Sequence, residues 1–85
     1  MGTSHYHLYF ERRDAKRNMA RFYAVSIEQD LFGRILLCRR WGRLRTFGQE
    51  KLEPFDSEDE ALRHMLALCR AKRHRGYRPV QTWLG

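Results

Sequence analysis

The sequence predicts an α+β fold: a small antiparallel β-sheet of four to five strands with one α-helix packed on a face. Apolar and polar residues alternate along the first half of the chain, which is the period of strands with one face toward a core. The second half carries apolar residues at helical spacing behind a capping motif. With 85 residues, 42% of them hydrophobic, the chain is expected to fold as a single domain, residues 1–85.

The first two strands are predicted at residues 5–13 and 21–29, with a polar, turn-like segment at residues 14–20 between them. Side chains of successive strand residues point to opposite faces of a sheet, so each strand offers one set of apolar residues to the core. These residues are Tyr6, Leu8 and Phe10 in the first strand and Tyr23, Val25 and Ile27 in the second.

Two further strands are predicted after a tight connection marked by Asp30 and Gly33. Residues 34–41 form the third strand, and residues 49–53 form a fourth before Pro54 stops it. Strands so closely spaced along the chain are typical of an antiparallel meander.

The helix has the clearest signal in the chain. Ser57 and Glu60 fit a capping box, in which each side chain bonds a free amide of the first turn. Residues 72–75, KRHR, suit the negative end of the helix dipole, and Gly76 is a natural stop. The alternative for this basic end is that it flanks the arginine-rich hairpin, if the fold brings the two together. Residues 77–84 are expected to add a short edge strand. The apolar face of the helix consists of Leu62, Met65, Leu66 and Cys69, joined by Ala61 and Leu68.

The charge balance favours a polyanionic partner. Seventeen basic residues against ten acidic ones give a net charge of +7, and fourteen of the basic residues are arginine. A guanidinium group binds phosphate bidentately and stacks on flat rings, whereas a lysine ammonium is a point charge. Nucleic acid, anionic lipid and acidic protein surfaces all fit this balance. A GC-rich genome would give the same excess of arginine without any binding role.

Five arginines lie in residues 31–49, a segment without acidic residues. A field of one sign concentrated on a hairpin attracts and holds a polyanion. The alternative is a solvated hairpin whose charges meet Glu50, Glu53 or the acidic start of the helix. The five residues are Arg34, Arg39, Arg40, Arg43 and Arg45.

Trp41 admits two interpretations. A tryptophan on a strand is more often part of the core, because its ring hides a large apolar area. Its neighbours Arg40 and Arg43 are costly to bury unpaired, however, and Gly42 lets another backbone or a ligand approach closely. An aromatic plane beside backbone amides and guanidinium groups suits a sugar or a base next to phosphates.

No catalytic or metal-binding constellation stands out. The lone Cys38 and Cys69 are predicted to be free, buried thiols in a reducing compartment. His5 and His7 have a chelating spacing, but the sequence offers no third ligand. We therefore expect no enzymatic activity, no catalytic residue, no metal and no cofactor. No apolar stretch is long enough for a signal peptide or a membrane span, so a cytoplasmic location without membrane contact is expected.

A short motif in the middle of the chain consists of Arg40, Trp41, Gly42 and Arg43, followed by Gly48 and Gln49. It resembles the WGR domain, which is named for three of these letters. That domain occurs in DNA-dependent poly(ADP-ribose) polymerases and in small bacterial proteins, including regulators likened to molybdate-metabolism regulators. The resemblance extends to residues 18–23, to residues 55–61 and to Lys72 with Gly76-Tyr77, so it covers most of the chain.

The resemblance implies a small sheet with one helix and, as in the polymerases, a nucleic-acid contact at a strand break. Trp41 would stack on the sugar at an exposed 5′ end, and Arg43 would lie at the interface between DNA and neighbouring domains. The family's domain has no catalytic activity of its own. The motif residues that would position the loop are Arg40, Gly42, Gly48 and Gln49.

The chain departs from the family pattern at two positions. Arg45 stands where many members have a glycine, so either the turn differs or Arg45 adopts an ordinary strand or turn geometry. Phe47 stands where a polar or basic residue is common. An exposed ring there would offer a second stacking surface, but we expect the ring to fill the core. The polymerases relay a break signal to a catalytic domain, and no such domain is expected here.

The resulting prediction is a non-catalytic module that binds nucleic acid, with DNA ends, nicks or junctions as the partner, through a loop of arginine and tryptophan. It requires a solvent-facing Trp41 indole at a hairpin tip. The alternative is a protein–protein interaction module that docks an acidic partner on the same patch, since Trp and Arg are also enriched at interface hot spots. A homodimer is not indicated. The candidate site residues are Trp41, Arg43, Arg40, Gly42, Arg45, Arg39 and Arg34.

Overall fold

The computed structural model describes residues 3–80, with side chains from residue 6 onward, and it confirms the predicted α+β fold. The strands are β1 Thr3–Asp14, β2 Met19–Gln29, β3 Ile35–Arg43, β4 Gln49–Phe55 and β5 Arg78–Pro79; a short 3-10 turn, Ala15–Arg17, joins β1 to β2, and the helix is α1 Glu58–His74. Within the described residues the strands form one antiparallel sheet in the order β4-β3-β2-β1-β5. The first four strands are therefore the meander that the sequence predicts.

The core lies between one face of the sheet and α1. Phe10 of β1 is buried there, but Tyr6 and Leu8 are exposed, contrary to the prediction. The helix lies across β2, β3 and β4, so the first half of β1 extends beyond its cover. The buried cluster consists of Phe10, Tyr23, Val25, Ile27, Leu37, Ala61, Met65, Cys69 and Tyr77.

β4 is an edge strand and runs two residues further than predicted, to Phe55. Pro54, which was expected to stop the strand, pairs with Leu36 of β3 within it. The outer side of an edge strand makes no ladder hydrogen bonds, so a residue without an N–H is tolerated there.

The start of α1 has one of the two hydrogen bonds of the predicted capping box. The Ser57 hydroxyl accepts a hydrogen bond from the backbone N–H of Glu60 at 3.2 Å. Acidic residues fill the first turn and basic residues the last, an arrangement that complements the helix dipole at both ends. Between residues 3 and 80, no helix is long and apolar enough to cross a membrane.

The end of α1 is held beside the sheet. The chain reverses at Gly76, which has a φ of 93°, and the N–H of Tyr77 donates to the carbonyl of Lys72 at 3.0 Å. β5 follows at once and pairs with β1. The basic end of the helix is thereby fixed next to the first strand. Residues 81–84 of the predicted last strand lie outside the described residues.

The two cysteines lie in different environments. Cys69 is buried in the core as predicted, whereas Cys38 is only half-buried and lies on the face of the sheet away from α1. Burial and the neighbouring Glu28 carboxylate raise the pKa of Cys38 to about 11. Its reactive thiolate form is therefore scarce at neutral pH.

Candidate nucleic-acid interface

A basic groove lies at one end of the sheet, on the face that carries the helix. Strands β1 to β4 and the C-terminal end of α1 form its walls, and its volume is about 400 Å³. Half of its lining residues are arginine or lysine, and none of the described residues that line it is acidic. The lining residues are Arg12, Arg21, Trp41, Gly42, Arg43, Gly48, Gln49, Lys72, Arg75 and Tyr77.

Strand register brings three of these arginines into one row. Arg12 of β1 pairs with Arg21 of β2, and Arg21 pairs with Arg43 of β3. Side chains alternate along a strand, so Arg12 shares the helix-facing side with Phe10, and Arg21 shares it with Tyr23. Like charges directly opposite each other on neighbouring strands repel. The row therefore costs stability in the free protein, and a bound anion would relieve the repulsion.

Lys72 adds a further cation from the end of the helix. Its Nζ lies 4.8 Å from the ring centroid of Tyr23 and 5.1 Å from that of Tyr77, and both rings attract the ammonium group. Burial lowers the pKa of Lys72, and the charges of neighbouring arginines, Arg75 foremost, lower it further. The groove is thus a partly desolvated cluster of positive charge.

Trp41 forms part of the groove wall. Its indole is half-buried: it packs against the core cluster and also lines the groove. It lies within β3, paired with Tyr23 and Gln49, and not at the tip of the hairpin as predicted. The guanidinium carbon of Arg39 lies 5.8 Å from the ring centroid. The ring is therefore anchored by the core, and Trp41 also forms part of the groove lining.

Gly42 and Gly48 let the two ends of the β3–β4 loop come into contact. A Cβ atom on Gly42 would lie 2.8 Å from the Cα of Gly48, and one on Gly48 would collide with the carbonyl group of Trp41. Gly48 also has a φ of 77°, which a residue with a side chain rarely adopts. The ring of Phe22 packs against both glycines. Any other residue at either position would move the wall that carries Trp41.

Among the described residues, no carboxylate forms an ion pair with the arginines around this wall. Glu53, a predicted acidic partner, has an oxygen 3.9 Å from Nε2 of His64 instead. Within residues 3–80, the basic residues that form ion pairs with described carboxylates are Arg13, Arg17, Arg34 and His64. Four of the five predicted arginines thus make no ion pair within the described residues: Arg39, Arg40, Arg43 and Arg45. Glu50 nevertheless lies directly opposite Arg40 in the pairing of β3 with β4.

The motif that builds this wall is shared with known proteins. A family model described as the WGR domain matches residues 6–82. The chain belongs to the WGR domain family. It is 57% identical over 74 residues to uncharacterized protein y4dW of Sinorhizobium fredii (strain NBRC 101917 / NGR234), an alignment that covers 87% of this chain and 36% of that protein. The chain thus spans about a third of the length of this relative. No solved structure matches the chain.

Membership of the WGR family confirms the predicted resemblance over most of the sequence. The family is one of nucleic-acid-binding type, and no catalytic family is indicated for the chain or by its relative. The binding mode of this WGR domain must therefore be argued from the side chains of the motif and of the groove.

The motif arginine Arg40 lies on the sheet face opposite the groove. Its guanidinium carbon is 5.1 Å from the ring centroid of Phe22 and 4.9 Å from that of Phe47, and its Nη1 donates to the Phe47 carbonyl at 3.3 Å. The expectation that Phe47 fills the core is wrong, since its side chain is 63% exposed. The ring covers Arg40 on the face that the helix leaves open, where there is no core to fill.

The remaining predicted arginines lie apart from the groove. Arg34 is in the β2–β3 turn, where its Nε is 2.8 Å from Oδ2 of Asp30. At about 3.3 Å per strand residue it is about 30 Å from Arg43. Arg45 is exposed in the β3–β4 loop and has a φ of 70°. The expectation of an ordinary strand or turn geometry for Arg45 is therefore wrong, because it keeps the left-handed backbone that suits glycine.

The sequence prediction omits half of the groove. Arg12 and Arg21 could have been found, because alternation from Phe10 and Tyr23 puts them on one face beside the same turn. The helix end offered a weaker signal, since a basic cluster at the end of a helix equally serves the dipole and solubility. Its proximity to Trp41 depends on the pairing of β5 with β1, which the sequence does not reveal. The omitted residues are Arg12, Arg21, Lys72, Arg75 and Tyr77.

Proposed function

We propose that this WGR domain is a non-catalytic module that binds DNA at ends, nicks or junctions and that the basic groove is its binding site. The composition of the groove is the observation that supports this most strongly: five cations and two aromatic side chains converge with no carboxylate among the described lining residues. A ligand for this site must carry several negative charges beside a flat or apolar group, and a nucleotide strand carries both. The proposal assigns no catalytic residue, metal or cofactor.

The arginine row would hold the phosphates. Neighbouring strands are about 4.8 Å apart, so Arg12, Arg21 and Arg43 extend over about 10 Å. That is long enough for more than one phosphate of a single backbone, and each guanidinium group can bind a phosphate with two hydrogen bonds. Lys72 and Arg75 would face the same backbone from the helix side.

The aromatic wall favours a terminus over the middle of a duplex. Trp41 is half-buried and lines the groove, so a group that enters the groove can contact its ring. Within an intact duplex the bases are stacked on each other, so no terminal sugar or free base face is offered to a ring. At an end or a nick, a terminal sugar or base is free to enter and stack on the indole, while its phosphates meet the arginines.

The experiment that tests this proposal is fluorescence anisotropy with three labelled DNAs of one sequence: blunt-ended, nicked and covalently closed. We expect tighter binding to the nicked and blunt forms. Trp41→Leu keeps an apolar side chain against the core and removes the stacking ring, so affinity for the nicked DNA should fall about 5- to 150-fold. Equal affinity for all three DNAs, unchanged by this substitution, would contradict end recognition.

A charge-matched pair of variants separates a defined site from general attraction. Arg43→Gln removes a cation from the groove, whereas Arg34→Gln removes one from the opposite end of β3 and should leave the affinity almost unchanged. If the two variants weaken binding equally, the groove is not the binding site. If no DNA binds while an acidic protein surface does, the interaction module is the correct alternative.

A further inference from the structure

The sheet face opposite the basic groove carries a stack of rings with a guanidinium group inside it. The ring of Tyr9 stacks on that of Phe22 at a centroid distance of 6.2 Å and an interplanar angle of 15°. The guanidinium group of Arg40 lies on Phe22, and the ring of Phe47 lies on Arg40. Phe47 is thus the outermost layer of an ordered stack.

The stack fixes Phe47 in place although the ring is mostly exposed. Phe22 is buried and packs against the two glycines of the loop, so the base of the stack is rigid. Arg40 makes a hydrogen bond to the backbone carbonyl of Phe47 as well as a contact with its ring. A single exposed phenylalanine needs no explanation, but one held by its ring and by its backbone presents a surface with little conformational entropy left to lose on binding.

The loop that carries Phe47 also borders the groove. Arg43 lines the groove at the start of this loop, Gly48 lines it at the end, and Arg45 projects from the loop into solvent. A strand that leaves the groove over this loop toward the opposite face of the sheet would pass the exposed Arg45 and then the ring of Phe47. No carboxylate of the described residues pairs with Arg45.

We propose that Phe47, backed by Arg40, is a stacking platform for an unpaired nucleobase next to the DNA terminus in the basic groove. The inference rests on the proposed function. A nucleobase is the flat group that continues a stack of ring, guanidinium and ring, and its phosphate would meet Arg45. Since every base has a π-face, the platform selects unpaired over paired bases and does not select base identity.

The experiment compares a blunt duplex with the same duplex extended by a short single-stranded overhang on the 5′ or on the 3′ side. We expect one of the two overhangs to bind about 5- to 150-fold more tightly than the blunt end. A 2-aminopurine in that overhang should lose fluorescence on binding, because stacking quenches it. Phe47→Leu should abolish both the added affinity and the quenching while leaving affinity for the blunt duplex unchanged, and Phe47→Trp should retain both.

The outcomes separate this inference from the proposed function. If ends and nicks bind more tightly than closed DNA but neither overhang adds affinity, the platform is refuted and the groove stands. If Phe47→Leu weakens blunt and overhang binding alike, the residue only shapes the loop, and the platform is also refuted. Unfolding midpoints of the Phe47 variants, measured beside the wild type, establish that the fold is intact in each comparison.

Discussion

At the residue scale, Arg45 has a backbone conformation that its side chain disfavours. A left-handed φ costs an L-residue about 1–2 kcal/mol, and glycine avoids that cost while losing about 0.5–1 kcal/mol of chain entropy on folding. Arg45→Gly should therefore stabilise the fold by about 0.5–1 kcal/mol in urea unfolding. Arg45→Ala removes the same charge but keeps a Cβ atom, so it should give no such gain. Equal stabilisation by both would assign the effect to charge and not to the backbone.

Also at the residue scale, the lowered pKa of Lys72 makes both stability and binding depend on pH. Burial and neighbouring arginines lower this pKa, so between this lowered pKa and the ordinary value the folded protein binds fewer protons than the unfolded chain. The contribution of Lys72 to stability therefore rises with pH across that window. A polyanion in the groove favours the charged form of Lys72. The affinity for that polyanion should therefore fall as the pH rises through the pKa that Lys72 has in the free protein.

Side-chain NMR on lysine-labelled protein can measure this pKa, because the chain has only three lysines. Lys72 should titrate below the ordinary pKa of lysine, because burial and neighbouring arginines lower its pKa. Addition of the nicked DNA should raise the pKa of Lys72. A titration of Lys72 that DNA leaves unmoved would place the ligand outside the groove.

At the element scale, the row of arginines across β1, β2 and β3 should lower the stability of the fold and strengthen the proposed binding of DNA. Arg21 is the middle member and faces Arg12 and Arg43 on its two sides. Arg21→Gln should stabilise the fold by about 0.2–1 kcal/mol at low salt and weaken DNA binding. The gain should disappear near 1 M salt, where the Debye length is about 3 Å.

Arg17→Gln is the matched control for this effect. The Nε of Arg17 lies 3.6 Å from Oδ2 of Asp14, so its removal takes away an attraction instead of a repulsion. It should leave stability unchanged or slightly lower, as expected for an exposed pair. Stabilisation by both substitutions would show that net charge, and not the cross-strand row, limits stability.

The elements themselves could be predicted where local rules decide them. Alternation predicted the first two strands, turn residues predicted the next two, and the Ser57 cap predicted the start of the helix. The prediction failed where the placement of another element decides. Leu8 is exposed because the helix covers other strands, and Phe47 is exposed because its ring lies beside Arg40, on the sheet face opposite the helix. The site, too, could be predicted only where it depends on residues close in sequence. The motif around Trp41 is local in sequence, whereas the groove also depends on strand register and on the return of the helix end to β1.

At the scale of the whole molecule, the affinity for DNA should depend more on where the positive charges lie than on the net charge. If the groove holds three to five phosphates, the logarithm of the affinity should fall with the logarithm of salt concentration at a slope of about −3 to −4.5. Replacing Arg12 and Arg21 together by glutamine should make that slope shallower by about 2, since two phosphate contacts are lost.

The same charge can be removed from another face of the molecule. Arg63 and Arg70 are exposed on α1 and do not line the groove. Replacing both by glutamine lowers the net charge as much as the groove pair does, but it should leave the slope and the preference for nicked DNA close to those of the wild type. If both double variants reduce the slope equally, binding depends on the overall field of the molecule and the basic groove has no special part in it. If the salt dependence of the affinity becomes shallower only in the variant that lacks Arg12 and Arg21, the phosphates lie beside Trp41.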